Sequence, residues 1–294
     1  MKATKLIVAA SLALGLGALP AQAQISRVFV SVNGNDLNDC LQPGSACRTL
    51  NGGIAKVDTN GEVIVIDTGS FAGATITKGV KINVPSGAIA FSASSVVVNA
   101  PAATVVIRGL TLKAFTPGSG IGIDIQAAGT VLVENVVLDG WTSGIVVQSG
   151  AGAVKLDIKD STMRNNSGAG VYVSGAGAAV SIDQSRFERN LIWGLQVDVA
   201  AKVSVSRSFF AGNLNGIEAQ VAGAVVDVSR STISGSTHNG LLVQGGLIRV
   251  AESLITGNET GLLRLSGTIE SYLDNIVRGN TMNTSGTVTT VTRQ

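Results

Sequence analysis

Most of the chain alternates short apolar-polar runs with a recurring phrase. In SRSFFAGNLNGI, from Ser206 to Ile217, a Ser precedes an apolar residue, and an Asn and then a Gly follow. Aligned on the leading polar residue, the phrases begin at Asn135, Ser161, Ser185, Ser208, Ser231, Ser253 and Asn275, in steps of 26, 24, 23, 23, 22 and 22 residues. Two positions on stand Val137, Met163, Phe187, Phe210, Ile233, Ile255 and Val277, all apolar. Five positions on stand Gly140, Asn166, Asn190, Asn213, Ser236, Asn258 and Asn280. Gly144, Gly170, Gly194, Gly216, Gly240 and Gly261 follow, each opening another alternating run such as GLQVDV.

A period of 20 to 50 residues is the signature of stacked repeats. Each unit holds β-branched runs with period-two alternation, which predict short strands. No unit holds a helical stripe, which excludes helical repeats, and a propeller blade needs about 40 residues. Two or three short strands in 22 to 26 residues fit one coil of a parallel β-helix. In such a coil the apolar column points inward and stacks on itself, and each strand pairs with its equivalent about 4.8 Å away. The Asn column is expected to form an amide ladder. The Gly is expected to supply a backbone position with φ > 0 before the next strand.

These coils resemble the right-handed parallel β-helix proteins of the pectate-lyase-like superfamily, over about residues 62–286. The resemblance implies an all-β fold, a single-stranded right-handed solenoid with an N-terminal strand and short-helix cap. RVFVSVNGNDLNDC and ACRTLNGGIAKV are similar to that cap; Leu50, Ile54 and Val57 lie at helical spacing, although Gly52 and Gly53 weaken the helix. A cap covers strand edges that an open solenoid end would expose. The expected organisation is a signal peptide over 1–23, a cap over 24–61, the β-helix over 62–286 and a tail over 287–294.

The N-terminus changes the picture of location. Lys2 and Lys5 precede an apolar run from Leu6 to Leu19, and Ala21-Gln22-Ala23 fits a signal-peptidase site. The expected mature chain starts at Gln24 and is exported, to the periplasm or beyond the cell; the apolar run is too short for a membrane span. Removing Lys2 and Lys5 takes Lys+Arg from 21 to 19, equal to the 19 Asp+Glu. A neutral chain has no electrostatic footprint for nucleic acid and no polybasic segment for anionic lipid. Cys40 and Cys47 are the only cysteines, and in an exported chain the pair is expected to form a disulfide. Two Cys and one distant His are too few for a soft-metal site.

The resemblance also tells where to look for chemistry. Ligands of β-helices lie on the outward residues of one sheet. Here the second residue after each Gly gives the column Asp124, Val146, Tyr172, Gln196, Glu218 and Leu242, and the fourth gives Gln126, Gln148, Ser174, Asp198, Gln220 and Gln244. Tyr172, Gln196, Asp198, Glu218 and Gln220 span three consecutive coils and are the candidate ligand-binding set. Gln amides both donate to and accept from hydroxyls, which suits a neutral sugar. Calcium is expected only with an acidic glycan, where it would bridge carboxylates. Asp198 and Glu218 are offset by one rung and two residues, about 8 Å, a separation that admits inverting glycoside chemistry.

The superfamily's familiar catalytic sets are absent: no Asp-Asp pair, no Gly-His-Gly, no recognisable calcium carboxylate cluster with its Arg, and no Tyr-Gly-(Phe/Ile)-Asp-Pro-His. The expected function is therefore an exported β-helix that binds an extended glycan or cell-surface ligand without catalysis. The alternative is a polysaccharide lyase or glycoside hydrolase with an unfamiliar site. An autotransporter passenger is a third, weaker reading. Further candidates are Trp141 and Trp193 for sugar stacking, Arg207 and Arg230 for gripping a uronate, and His238 as a base. Against the first, aromatic residues make up only 4% of the chain, few for a dedicated carbohydrate binder. NGNDLND, from Asn33 to Asp39, faintly resembles a calcium loop but lacks the Glu at position twelve.

Overall fold

The computed structural model describes residues 24–292 and is a parallel β-solenoid. The proposed signal segment lies outside the described residues. Every strand pairing is parallel. A ten-stranded sheet of short strands forms one face, and a twenty-stranded network forms the other two. Those two faces join through the long strands Val96–Arg108 and Ile121–Glu134, which continue from one face to the next.

A coil reads in three strands. Arg186–Glu188 lies in the ten-stranded sheet, Trp193–Val197 in the second face and Lys202–Ser206 in the third. The inward column of the ten-stranded sheet runs Leu112, Leu138, Met163, Phe187, Phe210, Ile233, Ile255 and Val277 in register. Phe187 and Phe210 are fully buried and stack face to face, ring centroids 4.4 Å apart. At the first repeat the register differs by one from the sequence alignment. Leu138, not Val137, faces Met163, and Val136 takes the place of Ser161. Asn135 stands one residue earlier, in the left-handed corner.

The leading polar residue has a specific task. Each Ser hydroxyl accepts the backbone N–H of its equivalent on the preceding coil: Ser161 to Ser185, Ser185 to Ser208, Ser208 to Ser231 and Ser231 to Ser253, at 3.1–3.2 Å. Each also donates to the carbonyl two residues back, Ser208 to Ser206 for example. The chain needs this because the residue before each Ser turns into the left-handed region (Asp160, Gln184, Arg207, Arg230 and Glu252, φ 47–50°). There the strand ladder is interrupted and a buried N–H would otherwise be orphaned.

The Asn column forms the amide ladder. Asn166 donates to Asn190 Oδ1 (2.7 Å) and Asn190 to Asn213 Oδ1 (3.0 Å), and further on Asn258 donates to Asn280 (2.9 Å). The ladder breaks at Ser236, whose hydroxyl is buried without a partner.

The expectation of positive φ at the repeating Gly is corrected. None of Gly144, Gly170, Gly194, Gly216, Gly240 and Gly261 is in the left-handed region. These glycines are demanded by close approach. A Cβ on Gly194 would lie 2.6 Å from the Gly216 carbonyl oxygen and 2.5 Å from the Phe210 ring, and a Cβ on Gly170 2.7 Å from the Gly194 oxygen.

At the N-terminal end, Arg27–Val30 pairs with Glu62–Val65, and the helix Leu50–Lys56 packs over the open end with Leu50 and Ile54 buried. Thr49 caps the helix by accepting the Gly52 N–H. Cys40 and Cys47 form a disulfide. Asp36 and Asp39 of the loop once compared with a calcium site are engaged in turns. Asp36 accepts from the backbone of Arg48 and Thr49, and Asp39 from Leu41 and Ser45. Strand pairing continues past residue 286, where Thr289–Val291 pairs with Glu270–Tyr272.

Candidate functional site

Five parallel strands carry the site: Ser143–Val147, Ala169–Val173, Trp193–Val197, Asn215–Ala219 and Asn239–Val243. Alternation sends Leu195, Val197, Ile217 and Ala219 into the core, all fully buried, and turns Gln196, Asp198, Glu218 and Gln220 to the outer face. There a groove of about 620 Å³ gathers Tyr172, Gln196, Asp198, Glu218 and Gln220, the whole candidate set, together with Trp193 and Gln244.

The outer face is stitched diagonally. A second-position residue on one coil bonds the fourth-position residue on the next. Gln148 donates to Asp124 (2.6 Å), the Tyr172 hydroxyl to Asp198 Oδ2 (2.7 Å), Gln196 to Gln220 (2.9 Å), and Gln244 to Glu218. The lattice covers its own members. Glu218 is only 1% exposed and Gln196 only 6%.

Burial pushes the Glu218 carboxyl above the usual carboxylate range; the Gln244 amide and the Trp193 indole N–H work against that, and the charge of Asp198 adds to it. Burial, with the hydrogen bond to Asp198, pushes the Tyr172 hydroxyl up to about 12, so it stays a donor. Two buried atoms in this groove have no hydrogen-bond partner. The Trp193 indole N–H makes no hydrogen bond, although it is near enough to Glu218 to oppose the rise of its pKa, and Asp198 Oδ1 has no partner while Oδ2 holds Tyr172. Each orphaned group costs about 1–3 kcal/mol unless something satisfies it.

The other candidates lie elsewhere. Trp141 is a core residue, 3% exposed, its indole donating to the Leu112 carbonyl (3.0 Å), so the two tryptophans do not form a stacking pair. Arg207 is paired with Asp183 and Arg230 with Glu252, in the left-handed corner column away from the groove. His238 is exposed on a turn. Thr142, Ser143, Ser167 and Asn215 also line the groove; Ser143 and Asn215 open their strands and the other two lie just before theirs, positions that period-two counting forward from the Gly does not reach. A second groove of about 530 Å³ on the third face is walled by Lys155, Lys202 and Arg249, the last already paired with Asp227 and Glu270.

Calcium does not fit this groove. Asp198 and Glu218 are its only carboxylates. One is tied to Tyr172 and the other is buried under Gln244 with raised proton affinity. No group of three potential metal ligands occurs among the described residues.

A solenoid with such an outward polar groove defines a class, the right-handed β-helices. The chain belongs to the family described as "Right handed beta helix region", which matches residues 119–286. Among solved structures it is similar to pectate lyase Pel9A, with TM-score 0.63 and 14% identity, covering 91% of this chain and 80% of that one. It is also similar to the GH136 lacto-N-biosidase from Eubacterium ramulus, with TM-score 0.50 and 10% identity, covering 90% of this chain and 67% of that one. At these identities the likeness is one of fold. No curated protein matches the sequence.

Proposed function

We propose that this protein is an exported β-helix that binds an extended glycan along the outer groove of its second face. The observation that carries the reading is the groove itself. It runs across consecutive coils, so it offers hydrogen-bonding groups at each rung, and it leaves a buried donor and a buried acceptor unsatisfied. The disulfide supports an oxidising compartment. Among the described residues no helix is long and apolar enough to cross a membrane.

The test is a glycan-array screen of the chain from Gln24, followed by Asp198→Ala with Glu218→Ala. The double variant is expected to lose binding while keeping its fold by circular dichroism. Full affinity in the double variant would place the site elsewhere.

A second reading, glycoside hydrolysis or polysaccharide cleavage, draws on the protonation bias of Glu218 beside Asp198. Burial argues against it, because a general acid must meet the glycosidic oxygen and Glu218 is 1% exposed. Depolymerisation of any arrayed glycan by the wild type, abolished in the double variant, would install this reading in place of binding.

A further inference from the structure

We infer that the groove selects an uncharged glycan and refuses a uronate, with Trp193 and Asp198 as the selecting pair. The inference rests on the glycan-binding reading above and specifies its ligand.

The two unsatisfied atoms are of opposite kind. Trp193 Nε1 can only donate, and Asp198 Oδ1, a carboxylate oxygen, accepts. Both belong to residues lining the same groove, and both atoms are covered in the free chain, so a ligand meets them only as the lining side chains move aside. A ligand that relieves both must present an acceptor and a donor. Sugar hydroxyls do both, because each carries one O–H and two lone pairs. A uronate keeps ring hydroxyls that can pair with both atoms, so the difference lies in its carboxylate, which brings a second negative charge against Asp198. The groove holds no cation to offset that charge: its lining contains neither Lys nor Arg, and Asp198 and Glu218 are its charged groups. The remaining lining groups are neutral and bivalent, the amides of Gln196, Gln220, Gln244 and Asn215.

The test measures calorimetric binding of xylohexaose, cellohexaose and mannohexaose against hexagalacturonate at neutral pH. These are compared for wild type, Trp193→Phe and Asp198→Asn, with melting curves as the control for folding. At least one neutral hexasaccharide is expected to bind and hexagalacturonate is not. Trp193→Phe keeps an aromatic ring but removes the N–H along with the pyrrole half of the indole, and should weaken the neutral ligand by at least about five-fold, the worth of one hydrogen bond. Asp198→Asn removes the charge and supplies a donor, and should admit hexagalacturonate, a gain that a merely structural Asp198 would not produce. Hexagalacturonate binding as tightly as the neutral probes to wild type overturns this inference and leaves the groove as a glycan site. No binding by either class overturns both.

Discussion

Glu218 is the residue whose environment departs furthest from water while its chemistry still demands a charge. Its carboxyl is drawn toward the neutral form chiefly by burial. A carboxyl whose folded-state pKa is raised favours the folded state at low pH, below the unfolded value. That contribution is lost as pH rises through the folded value, so at neutral pH the buried charge works against folding. Glu218→Gln is therefore expected to melt higher than wild type at pH 7, with the gap closing toward pH 4. Melting curves across that range check it, and a difference independent of pH would show that charge burial is not the cause. The neighbouring Asp198 accepts the Tyr172 hydroxyl through Oδ2, and its charge adds to the upward push on the Glu218 carboxyl.

At the scale of the element, a coil is two ladders and a tight corner. The Asn ladder is continuous from Asn166 to Asn213 and again from Asn258 to Asn280, and Ser236 interrupts it with an unpartnered hydroxyl. Ser236→Asn would place an amide between Asn213 and Asn258. By the pattern of its neighbours, its Oδ1 would accept from Asn213 and its Nδ2 would reach the Phe210 carbonyl, as Asn213 reaches Phe187. The expected gain is about 1 kcal/mol, a rise of a few degrees in Tm for a chain this long. An unchanged or lower Tm would mean the corner at Ser236 has no room for the longer side chain.

The Asn ladder was legible in the sequence because Asn recurs at a nearly constant step, and stacking converts that step into contact; the Ser column was visible as a repeat, but its bonding to the neighbouring coil's backbone was not. The inward Phe187, Phe210 and Ile233 column was legible for the same reason as the Asn ladder. The one-residue error at Asn135 arose where the step was longest, 26 residues, and where Val136 replaced the Ser that marks the register. The glycines were expected just ahead of the strand and given the wrong cause; each is the second residue of its strand. Positive φ and close approach both demand Gly, and a single chain does not say which neighbour's carbonyl lies 2.6 Å from the missing Cβ. The outward columns were legible from alternation. Their diagonal bonding was not, because it depends on where side chains of unlike length meet across a rung. Nor was the contrast between Trp141 in the core and Trp193 on the groove, which both follow the same corner.

At the scale of the whole molecule, the cap closes one end of a long stack and sets how that end opens. Cys40 and Cys47 are seven residues apart and pin the loop that returns to the first strand, where the Phe29 N–H donates to the Cys40 carbonyl and the Cys47 N–H to the Phe29 carbonyl. Closing so short a loop stabilises by about 2 kcal/mol. Replacing both by Ser is expected to lower Tm by roughly 4–8 °C and to raise hydrogen exchange first in Arg27–Val30. Uniform exchange along all coils would show that the cap does not control the end. Asp36 adds a pH dependence there. Burial alone would raise its pKa, but the Thr49 and Arg48 hydrogen bonds outweigh that and hold it low. Its contribution is present above the unfolded pKa and is lost as pH falls through the folded one.

The backbone N–H groups of Ser161, Ser185, Ser208, Ser231 and Ser253 all donate toward the later coil, and every strand pairs only with the coils before and after it. Mechanically, such a column behaves as a zipper. Pulled by its two ends, it presents one coil's bonds to the load at a time. Single-molecule extension is expected to give a sawtooth whose steps each release about 75–90 Å of chain, the contour of 22–26 residues. The interruption at Ser236 marks the rung where the trace should show its weakest tooth.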